Sequence, residues 1–325
     1  MELYKDKNIL VTGGTGMIGK YLVEKLIDSG ANIRIASLDD PNRAHEKAEF
    51  LSVDLTKFDN CMKVCKDMDF VFNLVGIKGS PKMTKEKPAT CLVPPLLFNT
   101  NMLEAARLSK VKRYLYTSTI GVYSPAEIFK EDDMWKSFPS KNDWYGGWAK
   151  RMGELQAETY EIQYGWKDIS IVRPANVYGK FDCFDENAMV IPALIKRALS
   201  GEDPFVVWGD GSQIRDFING GDVARGMMIA MDKSPGPKNP INLGSGTGYS
   251  IKELVEVITN NLDHKPKIEY DTTKPTGDKI RLMNVSRAKE LIGWEPEISL
   301  QQGVKEVMDW YKENKELIDT RYKYE

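Results

Sequence analysis

Histidine is nearly missing from this chain: His45 and His264 are the only two in 325 residues. A His-based zinc site or a Ser-His-Asp triad therefore starts with almost no raw material. Cysteine is scarce as well. Cys61, Cys65, Cys91 and Cys183 include no CxxC pair, which fits a reducing cytoplasm rather than a disulfide framework. No run approaches the roughly 18 uninterrupted apolar residues of a membrane-spanning helix, and the opening MELYKDKNIL carries no signal-peptide core. Excess charge of one sign is lacking too. Forty-five basic residues against 47 acidic leave −2, so neither nucleic acid nor an anionic membrane is expected as a partner.

What is present suits a soluble globular protein: 42% of residues are hydrophobic and 28% charged, enough to bury a large core. The length, 325 residues, matches two lobes sharing a cleft, at roughly 100–200 residues per domain.

Strand-like runs at 8–12, 32–36, 69–74, 112–117 and 169–173 alternate with helical patterns at 17–29, 57–66, 95–110 and 148–164. This alternation predicts βαβ units, hence a doubly wound α/β fold with a parallel sheet. After Arg173-Pro174 the rhythm changes. A helix near 188–200 is expected, then a hairpin over PFVVWGDGSQIRDFI turning at Asp210-Gly211, then helices at 222–232, 250–262 and 300–316. The expected division is a dinucleotide-binding domain over 1–174, rejoined by the chain near 216–242. A smaller mixed α+β substrate lobe takes 175–215 and 243–325.

The sharpest motif is Gly13-Gly14-Thr15-Gly16-Met17-Ile18-Gly19, a GxxGxxG between the first strand and the first helix. Glycine is needed there because a pyrophosphate must approach the backbone closely, resting on the unpaired N–H groups of the helix end. Gly13, Gly16, Met17, Ile18 and Gly19 are thus the expected cofactor cradle of a Rossmann-type domain. The plain alternative is a tight turn with small packing residues. Past the second strand stands Ser37, with acids only at Asp39 and Asp40, while Arg34 and Arg43 lie nearby. An acid there bonds the ribose 2′-OH and an arginine welcomes a 2′-phosphate, so Asp39 favours NAD and NADP stays open. Asp54-Leu55, after the third strand, reads either as an adenine contact or as an ordinary loop.

The motifs YTSTIGVY (116–123), WAKRMGE (148–154), RPANVYG (173–179), WGDGSQIRDFI (208–218), NLGSGTGYS (242–250) and GWEP (293–296) follow in order across almost the whole chain. Together with the glycine loop they resemble the extended short-chain dehydrogenase/reductase family, in its nucleotide-sugar epimerase/dehydratase branch. The resemblance implies hydride exchange between a sugar carbon and NAD. A Tyr phenolate, with its pKa lowered by a neighbouring Lys, takes the hydroxyl proton. It assigns Lys150 to the nicotinamide ribose and Thr119 to the reacting oxygen. It also implies a homodimer joined through two helices of the sheet lobe.

The tyrosine departs from the family pattern. YxxxK would put it at position 146, which is Gly; Tyr145 stands five residues before Lys150. On a regular helix that step swings a side chain by roughly 140°, off the lysine face. Three readings follow. Gly146-Gly147 delays or bulges the helix and returns Tyr145 to the site. Or the base is Asp182, Cys183, Asp185 or Glu186. Or the chain is altered and catalytically poor.

Other departures narrow the chemistry. The Asp-Glu pair of the family's dehydratases is replaced by Ile120-Gly121, and Gly121 also stands where GDP-fucose synthases, resembled by FDENAMVIPALI (184–195), carry Cys. Elimination and ring epimerisation by deprotonation lack their groups. Hydride chemistry remains: epimerisation at a hydroxyl carbon, most simply C4, or net oxidation or reduction there. A non-catalytic dinucleotide sensor is the rival of another class. Arg215 and Arg281 match family positions that clamp the nucleotide's phosphates, with Asn176 a further donor; surface pairing with acids such as Asp216 is the plain alternative. Cys61 and Cys65 read as packing residues. Trp135, Phe138, Trp144, Tyr145 and Trp148 read as the cleft rim.

Overall fold

A computed structural model describes residues 1–77, 81–185, 188–274 and 277–315. In the amino-terminal half the chain forms β1 (Asn8–Thr12), α1 (Met17–Asp28), β2 (Asn32–Ser37), β3 (Glu49–Ser52), α2 (Phe58–Cys65) and β4 (Phe70–Asn73). It continues through α3 (Pro81–Glu86), α4 (Pro88–Leu108), β5 (Arg113–Thr117), β6 (Ile128–Phe129), α5 (Trp144–Tyr164) and β7 (Ile169–Pro174). The remainder forms β8 (Asn176–Tyr178), α6 (Val190–Leu199), β9 (Phe205–Trp208), β10 (Ile214–Asn219), α7 (Gly220–Lys233) and β11 (Ile241–Leu243). Last come β12 (Gly248–Ser250), α8 (Ile251–Thr259), β13 (Ile268–Asp271), β14 (Ile280–Met283), α9 (Ser286–Ile292) and α10 (Leu300–Glu313).

The Val/Ile/Leu-rich runs pair as a seven-stranded sheet in the order β11-β7-β5-β4-β1-β2-β3, and every pairing is parallel. Parallel strands need helical crossovers, which cover both faces and make the central strands apolar throughout. One face buries Ile9, Val11, Leu22, Leu26 and Phe72; the other buries Leu10, Val71, Phe98 and Met102. Strand order reverses between β1 and β4. Their carboxyl ends frame the crevice where a dinucleotide lies in such folds. The glycine loop after β1 sits at that point.

A five-stranded sheet, β12-β10-β14-β6 with β8 on β10, lies beyond the carboxyl ends, and β9 pairs with β13 separately. A third apolar cluster, including Phe184, Leu194, Phe205, Leu254 and Val307, lies beneath these strands. The expected hairpin at Asp210-Gly211 is corrected here. β9 and β10 do not pair with each other; β9 runs parallel to β13 and β10 antiparallel to β12. The turn chemistry was read correctly as a turn, but long-range pairing chose the partners. The chain rejoins the large sheet through α7 and β11, residues 220–243, whereas the strand at 214–219 stays with the smaller sheet. α4 begins at Pro88 and continues through Pro94 and Pro95, where the sequence suggested a start at 95. Packing against α2 and α5 outweighs the local proline penalty.

Candidate active site

The glycine loop turns sharply after β1. Gly13 has φ +66°, and a methyl group on it would lie 3.3 Å from the Leu74 carbonyl, so only glycine fits beside the chain leaving β4. Gly19 is tighter still: its Cβ would come within 2.3 Å of the Gly13 carbonyl oxygen, and that displacement would spread the cradle. Gly16 caps α1 without a side chain, leaving the first N–H groups, those of Met17, Ile18 and Gly19, directed out of the helix end. This arrangement fits a pyrophosphate.

Beside it, the Thr15 hydroxyl donates to Asp39 Oδ2 at 2.7 Å, and Arg43 Nε stands 4.0 Å from the same carboxylate. Arg34 is turned away, paired with Glu49 at 2.8 Å and donating to the carbonyls of Val64 and Lys66. Asp39 and Arg43 are therefore the charged groups facing the end of β2. Asp54 is occupied by its own turn, accepting from the Thr56 N–H and hydroxyl, and the Leu55 side chain is buried.

Lys150 reaches the crevice from α5. Its Nζ donates to the Thr117 carbonyl at 2.7 Å, lies 5.1 Å over the Tyr116 ring, and stands 4.0 Å from where a Gly76 Cβ would be. Burial pushes the ammonium pKa down to about 8, while the Glu154 carboxylate one turn on works against that shift. Glu154 itself is buried, paired with Arg173 at 2.6 Å and accepting from Ser118 next to Thr119. Arg173 also donates to the Tyr123 hydroxyl at 2.8 Å. This network ties the end of β5, the helix carrying Lys150 and the start of the second lobe into one rigid floor. Thr119 caps the short turn Ile120–Val122, its Oγ1 accepting from the Gly121 N–H at 3.2 Å.

The late start or bulge that would have brought Tyr145 back is absent. α5 begins at Trp144, and the Gly147 N–H donates to the Asp143 carbonyl at 2.7 Å, an ordinary helical turn. Tyr145 thus points roughly 140° from Lys150 and within roughly 20° of Met152, an exposed residue. At Gly146, where the family tyrosine stands, a Cβ would meet nothing within 4 Å. Among the alternative bases, Asp182 is buried and accepts from the Cys183 N–H at 2.7 Å, and Glu186 lies outside the described residues. Phe138, Trp144 and Trp148 pack ring against ring, with centroids 5.9–6.1 Å apart, on the other side of the helix.

Across the crevice, Arg215 on β10 and Arg281 on β14 are register partners on adjacent parallel strands. Burial, and then the Arg281 charge, hold the Arg215 pKa below its ordinary value. Arg281 Nη2 lies 2.8 Å from Asp143 Oδ2, joining the second lobe to the start of α5. The Asn176 amide donates to the Asp216 carbonyl at 2.9 Å. Asp216 is no surface partner for arginine. It is fully buried and takes the N–H groups of Ser245, Gly246 and Met283. Asp143 and, at 3.8 Å from Arg281 Nη1, Asp278 are acids at this site that sequence reasoning passed over; nothing in their local spacing marks them.

Residues 9–244 match the family model described as the NAD dependent epimerase/dehydratase family. The chain belongs to that family. Over 321 residues it is 32% identical to a putative GDP-L-fucose synthase 2 of Arabidopsis thaliana, covering 96% of this chain and 94% of the relative. A putative UDP-glucose 4-epimerase of Methanocaldococcus jannaschii is 31% identical over 312 residues, covering 94% and 99%. An epimerase structure from Methanothermobacter thermautotrophicus superposes with a TM-score of 0.87 at 28% identity, covering 98% of this chain and 95% of that one. The family member is thus an NAD(P)-dependent enzyme, and the resemblance and the Rossmann-type fold read from the motifs are both upheld. No helix among the described residues is long and apolar enough to cross a membrane.

Proposed function

We infer that this enzyme is a nucleotide-sugar epimerase acting by hydride transfer at a hydroxyl-bearing carbon of a nucleoside-diphosphate sugar, C4 in the simplest case. The observation that carries the reading is the arginine pair. Two arginines in register on neighbouring strands bring two cations to one place, where a diphosphate suits both forks and would take over from Asp143 and Asp278, the carboxylates that Arg281 now meets. The relatives' names, a GDP-sugar synthase and a UDP-sugar epimerase, support the substrate class; the 184–195 likeness favours GDP.

In this reading the cradle of Gly13, Gly16, Met17, Ile18 and Gly19 would hold NAD, which would supply a hydride acceptor and donor. Asp39 supports NAD over NADP because its carboxylate would repel a 2′-phosphate. Lys150 holds the ribose through its Nζ, Thr119 holds the reacting oxygen, and Asn176 keeps one amide hydrogen for the substrate. In the same reading the dinucleotide lies on the large sheet, over residues 1–174, and the nucleotide sugar under the small one. Four cysteines with no CxxC pair support a cytoplasmic setting.

The test is turnover against UDP-, GDP-, CDP- and dTDP-sugars with nicotinamide absorbance followed throughout. An epimerase converts sugar without net change in reduced coenzyme; stoichiometric change would make it a dehydrogenase or reductase. Coenzyme binding with no turnover of any sugar would favour the non-catalytic sensor that Gly146 suggests. Arg281→Ala is expected to weaken nucleotide-sugar binding much more than coenzyme binding, and calorimetry with each ligand reads the difference.

A homodimer is part of the reading. α4 and α5 lie side by side and expose Val93, Leu97, Met152, Leu155 and Ile162, an apolar face suited to a second copy.

A further inference from the structure

The missing phenol leaves a proton without a carrier, and the structure puts a carboxylate nearby. Asp143, just before the first turn of α5, precedes Lys150 by seven residues; on a helical path that is about 10 Å along the axis and within roughly 20° of one direction. Gly147 lies between them on that face, so close to the loop after β5 that its Cβ would meet the Gly121 carbonyl oxygen at 2.4 Å. Asp143 is the N-cap of α5, where an aspartate ordinarily accepts from the helix's own first N–H groups; here it makes no such bond. Its side chain turns to the active-site loop instead. A methyl group on Gly121 would lie 3.2 Å from Asp143 Cβ and Cγ and 3.3 Å from Oδ1. Thr119 Oγ1 is held on the same residue's N–H at 3.2 Å. The threonine hydroxyl and the carboxylate thus both converge on Gly121.

The carboxylate is restrained by one partner. Oδ2 stands 2.8 Å from Arg281 Nη2, yet neither Oδ2 nor Arg281 Nε, both buried, has a hydrogen-bond partner among the described residues. Asp143 is thus held by an ion pair without a well-aligned hydrogen bond, and Arg281 has a second carboxylate at hand, Asp278 Oδ2 at 3.8 Å from its Nη1. If Arg281 serves a diphosphate, the incoming anion competes with Asp143 for it.

We propose that Asp143 is the acid–base group of this enzyme, carried by the helix start in place of the absent tyrosine, and that it is unmasked when substrate phosphate draws Arg281 away. The proposal rests on the reading of the protein as a nucleotide-sugar enzyme. As the C–H bond of the sugar breaks, its electron pair leaves with the hydrogen as hydride to the nicotinamide. The hydroxyl proton passes to the Asp143 carboxylate, and a ketone remains. On return of hydride, the carboxylic acid gives that proton back to the oxygen, so no external oxidant or reductant is consumed.

The experiment compares wild type with Asp143→Asn and Asp143→Glu. Each is first checked by thermal melting with and without NAD. Binding of GDP, UDP, CDP and dTDP is then measured by calorimetry, and turnover across pH is measured with the sugar nucleotide that wild type converts. Loss of a positioned base is expected to lower kcat about 100-fold or more in Asp143→Asn. The acid-side limb of the wild-type profile should disappear with it, and Asp143→Glu should recover part of the rate. Nucleoside diphosphate should bind several-fold more tightly to Asp143→Asn, because Arg281 loses the nearer of its two carboxylate competitors. Unchanged nucleotide affinity together with near-wild-type turnover in Asp143→Asn overturns the proposal while leaving the epimerase reading intact. Failure of wild type to bind any of GDP, UDP, CDP and dTDP overturns that reading, and the proposal with it.

Discussion

At the scale of single residues, the site is a set of side chains whose chemistry depends on what surrounds them. Lys150 illustrates it. The crevice lowers its pKa to about 8, so the ammonium is present below that pH and lost as pH rises through it. Dinucleotide affinity of the free enzyme is therefore expected to decline above about pH 8. Fluorescence titration across pH reads this, and Lys150→Met should flatten the dependence as well as weaken binding. The same shift acts on stability in the opposite sense. Between about pH 8 and the ordinary lysine value the unfolded chain binds more protons, so this residue's contribution to folding rises with pH there. Lys150 and Thr119 could be picked out from their motifs. Asp143 could not, because its place in the site depends on a contact with Gly121 twenty-two positions earlier and an ion pair with Arg281 far downstream.

At the scale of elements, α5 shows how two adjacent glycines can do different things. Gly147 is closed in: any Cβ there would strike the Gly121 carbonyl. Gly146 faces open space and gains nothing from lacking a side chain. Gly146→Ala should stabilise the protein by about 0.5–1 kcal/mol through helix propensity alone, whereas Gly147→Ala should destabilise it, and urea unfolding of the two variants reads the contrast. The opening at 146 leaves the Cβ of Gly146→Tyr without a clash. That variant should place a phenol one turn before Lys150 and add an alkaline dependence to turnover, measurable in the pH profile. Helix identities were legible from periodicity, but the start of α4 was not, because Pro94 and Pro95 signal a break that packing overrules. β9 and β10 misled for a related reason: Asp210-Gly211 is a true turn signal, but the strands it separates find partners far away in sequence.

At the scale of the whole molecule, the cleft exists because the chain leaves the large sheet after β7 and returns through α7 and β11. The buried Arg173–Glu154 pair sits at the crossing, with both side chains nearly inaccessible. Glu154→Leu would leave the guanidinium uncompensated and should cost about 3–5 kcal/mol in chemical denaturation. On the outer surface, Ile162 on α5 is 68% exposed and Leu155 is exposed as well. If the proposed pairing of α4 and α5 with a second copy holds, Ile162→Asp combined with Leu155→Asp should give folded monomers in analytical ultracentrifugation where wild type sediments as a dimer.

The strand–helix rhythm, the glycine cradle, Lys150 and the loss of the family tyrosine are local facts. Each depends on residues within a turn or two of one another, so the amino-acid order alone determined them. Which strands pair across the second sheet, that Asp216 is buried rather than bound to arginine, and that Asp143 meets both Gly121 and Arg281 were decided only in three dimensions. Those contacts join residues dozens to more than a hundred positions apart, and no local propensity carries information about a partner at that distance.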